Sequence, residues 1–220
     1  SQFVEQFTAT FDFAADALRQ FSIVKGDQIH YWYNQGRYVR GGGSLNNSCM
    51  SSASRDKLAI YCENENIELI IIDNISTDKS EIIFEAYKKS IDVLIREKDK
   101  GIYDAMNKGI RIAKGEWLYF IGADDIINDK SLQHFLKTIP IYDGYFIFGD
   151  YIESYPNGEN KLIKQNRYQN KFQLLKGCLN HQSVIIKKKL FDNFGCYNIS
   201  YKFCSDYEMY TRIPFHLLKE

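Results

Sequence analysis

Two apolar runs in this chain end in carboxylates, and that pairing restricts the folds open to it. Ile67-Glu68-Leu69-Ile70-Ile71-Ile72 leads into Asp73, and Trp117-Leu118-Tyr119-Phe120-Ile121 leads through Gly122 and Ala123 into Asp124-Asp125. A nearly continuous apolar run, rather than strict alternation, suits a strand buried on both faces, the kind found in parallel sheets covered by helices. Two such strands deliver acids to one edge of a sheet, the edge at which open α/β sheets bind their ligands. Adjacent Asp124 and Asp125 repel each other and lose hydration there. A divalent or substrate cation offsets that cost; a solvated strand-to-loop turn is the other reading of the pair.

Helical signals separate the strands. Ser76-Thr77-Asp78 is N-cap chemistry, followed by Ser80 to Lys89 with Ile82, Ile83, Ala86 and Tyr87 on one stripe. A short strand, Ile91 to Ile95, comes next, then a helix from Tyr103 to Lys114 with Ala105, Met106, Ile110 and Ala113 inward and Gly115 at its end. The order β-α-β-α-β predicts a parallel, Rossmann-like sheet. Tyr145 to Tyr151 reads as a further strand, with a turn at Pro156-Asn157-Gly158.

Composition narrows the function classes. Lys+Arg and Asp+Glu are equal at 28 each, so no global field points to nucleic acid. The basic stretch from Lys161 to Lys176, with Lys187-Lys188-Lys189, reads either as a solvated face or as attraction to an anionic membrane surface or a phosphate-bearing acceptor. Cys49, Cys62, Cys178, Cys196 and Cys204 form no Cys-x-x-Cys pair, the pattern expected of reduced thiols in a cytoplasmic protein. The apolar runs fall short of the roughly 18 residues a membrane span needs, so membrane contact is expected to be peripheral, at the inner face.

Four blocks carry a family resemblance: Asp73-Asn74-Ile75-Ser76-Thr77-Asp78; Asp99-Lys100-Gly101-Ile102-Tyr103-Asp104-Ala105-Met106-Asn107-Lys108-Gly109; Gly122-Ala123-Asp124-Asp125; and His181-Gln182 with Ser205-Asp206-Tyr207-Glu208. In this order they resemble the family 2 glycosyltransferases of the GT-A fold, of the bacterial polysaccharide-building type, over roughly residues 58–213. The resemblance implies a mixed α/β sheet flanked by helices. It also implies an inverting transferase that moves a sugar from a UDP- or dTDP-type donor to a polysaccharide or lipid-linked glycan, with Mn²⁺ or Mg²⁺.

The same resemblance implies roles. Asp125 would be a metal ligand, and Asp124 would contact the ribose or support the ion; the family's commonest motif has a further acid where this chain has Gly122. Asp73 would accept a hydrogen bond from a nucleobase imide N–H, with N-capping of the next helix as its alternative. Asp99, Lys100, Asp104 and Asn107 would lie beside the nucleotide, Lys100 reaching a phosphate, although Asp104 and Asn107 read equally as capping and packing residues. His181 would meet the metal or diphosphate, or be structural. Asp206 takes the place of the base that deprotonates the acceptor, with Glu208 as runner-up; at i, i+2 on a helix only one of them can face the pocket.

The N-terminal part does not follow this scheme. Ala9-Thr10-Phe11-Asp12-Phe13 and Phe21 to Asp27 resemble the opening of an SH3 domain, with Gly36-Arg37-Tyr38 in place of Gly-Trp-Trp, and Gly41 to Ser48 reads as a linker. The other candidate is a degenerate first β-α unit with Gln28 to Asn34 as the strand, which the glycine run Gly41-Gly42-Gly43 argues against. The division expected is thus 1–44 for this segment and 45–220 for the transferase domain. A non-catalytic interaction protein built on the SH3-like segment, or an inactive nucleotide-sugar binder, is the rival function.

Overall fold

The computed structural model describes residues 21–26, 31–34, 37–40, 67–77, 80–122, 128–154, 159–165 and 179–218. Its strands are β1 (Phe21–Gly26), β2 (Tyr31–Asn34), β3 (Arg37–Arg40), β4 (Ile67–Asp73), β5 (Val93–Arg96), β6 (Trp117–Gly122), β7 (Phe146–Phe148), β8 (Tyr151–Ser154), β9 (Asn160–Ile163) and β10 (Val184–Lys187). The helices are α1 (Ser80–Ala86), α2 (Ile102–Ile112), α3 (Asp129–Thr138), α4 (Lys188–Phe194) and α5 (Ser205–Arg212).

The main sheet has the order β5-β4-β1-β6-β10-β7. β5, β4, β1 and β6 run parallel, and β10 is antiparallel to both β6 and β7, so the sheet is mixed. The position in the middle of the sheet belongs to Phe21–Gly26, which pairs with β4 and β6 from Phe21↔Ile67 and Phe21↔Trp117 to Gly26↔Ile72 and Gly26↔Gly122. The expectation that Gln28 to Asn34 supplies that strand is therefore corrected: Tyr31–Asn34 forms a separate hairpin with Arg37–Arg40. Ala9 to Phe13 and the stretch Gly41 to Ser48 lie outside the described residues.

The apolar runs are continuous because both faces of the sheet are covered. Ile70, Ile72, Leu118 and Phe120 pack on one side with α2, α4 and α5 through Met106, Ile110, Leu190, Phe191 and Met209. Leu69, Ile71, Trp117 and Ile121 pack on the other with Leu132 and Leu136 of α3. Each such side chain, fully buried, contributes about 1.5–3 kcal/mol, so this double layer dominates the stability of the fold. At the edge, β5 alternates between half-buried and exposed residues, as an edge strand does.

Two local expectations are corrected. The inward stripe of α1 is rotated by about one residue: Ser80 is buried, Phe84 packs on the core, and Ile82 is 67% exposed. The larger Phe84 ring takes the inward row, one turn after Ser80, with the Arg96 guanidinium 6.0 Å from its centroid. The strand read as Tyr145 to Tyr151 is two strands. Gly149 donates its N–H to Ser183 O at 3.0 Å, and the chain then leaves the sheet to pair Tyr151–Ser154 with Asn160–Ile163.

Candidate active site

The parallel strands deliver their carboxyl ends, Asp73, Arg96 and Gly122, to one edge of the sheet. α2 begins at this edge, just after the loop that leaves β5. β10 runs the other way, so His181 to Ser183, which lead into it, arrive there too; Tyr119 of β6 donates its hydroxyl to Gln182 O at 2.9 Å.

Asp73 is fully buried and its carboxylate is engaged. Arg96 Nε donates to Oδ2 at 2.8 Å, and the Ser76 N–H donates to Oδ1 at 3.1 Å, closing the turn after β4. The Asp73 hydrogen bond raises the Arg96 pKa, although burial acts in the opposite sense. Within that turn Ile75 adopts φ 53°, a left-handed conformation that is costly for a β-branched residue.

The loop Asp99 to Asp104 is organised by its own carboxylates. Asp99 Oδ1 accepts the Gly101 N–H at 3.0 Å, and its backbone N–H donates to Asn74 Oδ1 at 3.0 Å. Burial, the largest cause, pushes the Asp99 pKa up. Asp104 Oδ2 accepts the Lys100 N–H at 3.0 Å, so Asp104 ties down the entry to α2 in the manner of a cap. Gly101, at φ 127°, makes the turn that an L side chain would resist.

Asn107 turns inward. Its Nδ2 donates to Tyr197 O at 2.8 Å and its Oδ1 accepts the Tyr197 N–H at 2.9 Å, with the side chain buried. Of the two readings of this residue, the geometry is that of a packing clamp.

Asp206 lies in the first turn of α5 and is 6% exposed. Tyr103 donates its hydroxyl to Oδ1 at 2.9 Å, and His181 Nδ1 lies 3.5 Å from Oδ2. Burial pushes the Asp206 pKa up, but the hydrogen bond and charge of His181, then the Tyr103 hydroxyl and the Tyr207 N–H, outweigh it and leave the group below the ordinary carboxylate range. Burial and the neighbouring Asp206 drive the Tyr103 hydroxyl far above its usual value, so Tyr103 stays a donor. Glu208 points elsewhere: Arg212 Nε lies 2.8 Å from its Oε1, one turn along the helix.

The structure thus brings together His181 and Asp206, which the sequence assigns to different tasks, and adds Tyr103. Tyr103 and Arg96 are functional candidates that the sequence reading missed. The available signal was positional: Tyr103 is in the first turn of α2 and Arg96 is the last residue of β5, both at the binding edge. Asp124 and Asp125 lie outside the described residues. Among the described residues no group of three or more His, Cys, Asp or Glu side chains is arranged to hold a metal ion. His181 has turned Nδ1 to Asp206, an arrangement in which a carboxylate orients the imidazole through one ring nitrogen.

A mixed sheet with a carboxylate-lined carboxyl edge is the architecture of the GT-A glycosyltransferases, and solved structures of that class share it. Staphylococcus aureus TarS 1-349, in complex with UDP-GlcNAc, superposes with a TM-score of 0.61 at 14% identity, covering 88% of this chain and 52% of that one. The mannosyltransferase PcManGT from Pyrobaculum calidifontis, in complex with GDP-Man and Mn²⁺, gives a TM-score of 0.57 at 15% identity, covering 96% and 57%. The profile of Glycosyl transferase family 2 matches residues 47–199, and the chain belongs to that family. Both β1 and Asp206 lie outside the matched segment.

Among curated relatives, a PGL/p-HBAD biosynthesis glycosyltransferase of Mycobacterium tuberculosis is 27% identical over 177 residues, 75% of this chain and 62% of the relative. The glycosyltransferase GlyG of Streptococcus pneumoniae is 32% identical over 90 residues, 40% of this chain and 30% of the relative. The chain therefore spans less than two thirds of the length of these relatives. Among the described residues no helix is long and apolar enough to cross a membrane.

Proposed function

We propose that this chain transfers a sugar, with inversion, from a nucleotide diphosphate donor to a glycan or lipid-linked acceptor, with Asp206 as the base. The observation that carries the reading is the Asp206 carboxylate. It is buried at the binding edge and held in its charged form by His181 and Tyr103. Inversion needs a base on the face of the sugar opposite the departing diphosphate, and a carboxylate already deprotonated at neutral pH meets that need.

The donor would lie over the Asp73–Arg96 pair and the Asp99 to Asp104 loop. Asp73 and Arg96 close the ends of β4 and β5 beneath this position, and the family resemblance, in which an acid at this place meets an imide N–H, favours a UDP- or dTDP-type donor. The backbone of Lys100 is tied to Asp104, which leaves its ammonium group to reach a phosphate. The UDP-GlcNAc in TarS and the GDP-Man in PcManGT support a nucleotide-sugar donor. Mn²⁺ or Mg²⁺ enters this reading through Asp124 and Asp125, and when bound it would neutralise charge on the diphosphate. Action at the inner face of the cell membrane, by peripheral contact, completes the proposal.

The test is calorimetric titration of UDP with Mn²⁺ or with EDTA, together with release of nucleoside diphosphate from UDP-, dTDP- and GDP-sugars. Asp206→Asn should bind UDP as the wild type does and lose turnover. An Asp206→Asn protein that turns over at the wild-type rate would remove Asp206 from the mechanism.

A further inference from the structure

We propose that Tyr103 is a positioning residue for the Asp206 carboxylate, holding it in the one orientation that presents Oδ2 to the acceptor hydroxyl. The inference rests on the reading of Asp206 as the base.

Asp206 follows a residue in the left-handed region, Cys204 at φ 61°, at the start of a helix that has no side-chain cap. Within α5 the carboxylate meets only the neighbouring Tyr207 N–H among the contacts that hold it charged. Tyr103 supplies the fixed point from 103 residues away, with its hydroxyl 2.9 Å from Oδ1. The ring that carries this hydroxyl cannot swing: it is 7% exposed and lies against Tyr197, with ring centroids 5.5 Å apart.

One turn along α2, Asn107 grips the backbone N–H and C=O of the same Tyr197. Residues i and i+4 of a helix share a face, so a single face of α2 holds both the base and the chain that leads to it. That chain, residues 198–204, is exposed throughout and is pinned at its start by Asn198, whose Oδ1 accepts the Ser200 N–H at 3.0 Å and whose carbonyl accepts the Ser205 hydroxyl at 3.0 Å. Without the Tyr103 contact an exposed connection, with the longer His181 contact on Oδ2 and the Tyr207 N–H, would set the aim of the carboxylate. With it, the buried helix α2 does.

The chemical consequence follows from the two oxygens. Oδ1 is occupied by a donor that keeps its proton, and Oδ2, with His181 Nδ1 3.5 Å away on one side, is the oxygen to which the proton of the acceptor hydroxyl passes. The acceptor oxygen then forms its bond to the anomeric carbon as the nucleoside diphosphate leaves with the bonding electron pair. Misaiming a base within a formed site slows the chemical step and leaves donor binding intact.

The experiment compares wild type, Tyr103→Phe, Asp206→Asn and the double variant in steady-state nucleoside diphosphate release from UDP-, dTDP- and GDP-sugars, with thermal melting alongside. Tyr103→Phe keeps the ring and removes only the hydroxyl. We expect kcat to fall about ten- to a hundredfold with the donor KM unchanged. The double variant should be no slower than Asp206→Asn alone, because Tyr103 acts only through that carboxylate. Ile110→Val, a packing change on the same helix, should leave kcat unchanged at a similar small loss of melting temperature. An active wild type with an unchanged Tyr103→Phe, a rise in donor KM instead of a fall in kcat, or losses that multiply in the double variant would overturn the positioning role alone. A wild type inert toward every donor would overturn the transferase reading, and the positioning role with it.

Discussion

Replacing Asn107 with alanine separates a structural clamp from a nucleotide contact. In the structure the amide satisfies two buried backbone groups, the Tyr197 N–H at 2.9 Å and the Tyr197 C=O at 2.8 Å. Removing it leaves both without that partner in a region where Tyr197 is 4% exposed. An unsatisfied buried polar group costs about 1–3 kcal/mol, so two cost about 2–6; a water entering the vacated space recovers part of this, leaving about 2–4. For a chain of this size each kcal/mol moves the melting temperature by about 2–4 °C, which predicts a drop of about 4–16 °C. Asn107→Asp is the sharper variant. It keeps an acceptor for the N–H but turns a second carboxylate oxygen toward the Tyr197 carbonyl, so it should be at least as destabilising as alanine despite its near-identical shape. The assays are thermal melting and urea unfolding, with UDP titration on the folded protein. A melting temperature within about 1 °C of wild type combined with lost UDP binding would refute the clamp and restore Asn107 to the nucleotide site.

Four further outcomes follow from the geometry. Asp206 has a folded pKa below its unfolded value of about 3.9, so the stability it contributes is present above that value and lost as pH falls through the folded pKa; the difference in urea midpoint between wild type and Asp206→Asn should narrow below about pH 4. Arg96→Met should lower the melting temperature more than Arg96→Lys, because only the lysine leaves the fully buried Asp73 carboxylate a cation within reach; equal effects would show that the ion pair is not what matters. Ile75→Gly should raise stability by about 1 kcal/mol in urea unfolding, since Ile75 is 47% exposed and held at φ 53°, a conformation glycine adopts freely. Trp117→Ala should cost about 3–5 kcal/mol, as the ring is 1% exposed, packs 6.1 Å from Tyr142 and carries the Lys187 ammonium 5.0 Å from its centroid.

Much of the fold is written locally. The runs ending at Asp73 and Gly122 announce buried parallel strands because two-sided burial demands apolar side chains at nearly every position, and that demand is visible in one dimension. The helix that begins beside Tyr103 is equally legible, since its inward residues recur with helical spacing. The identity of the central strand is not. Phe21–Gly26 reads Phe-Ser-Ile-Val-Lys-Gly, short and interrupted by polar residues, and its place is decided by the edges that β4 and β6 offer for backbone pairing. Backbone hydrogen bonds carry no side-chain signature, so the pattern that resembles an SH3 opening is silent about which neighbours the strand will find.

The site divides in the same way. Which residues are acids and bases, and that several of them fall at strand ends, is a property of the sequence alone. That Asp206 rather than Glu208 meets His181, that Tyr103 reaches across to the same carboxylate, and that Asn107 faces the protein interior are decided by where α2, α5 and the residues before β10 converge at the sheet edge. Contacts between residues some 25 to 100 positions apart depend on how helices are docked, and side-chain chemistry read along the chain contains no such distances.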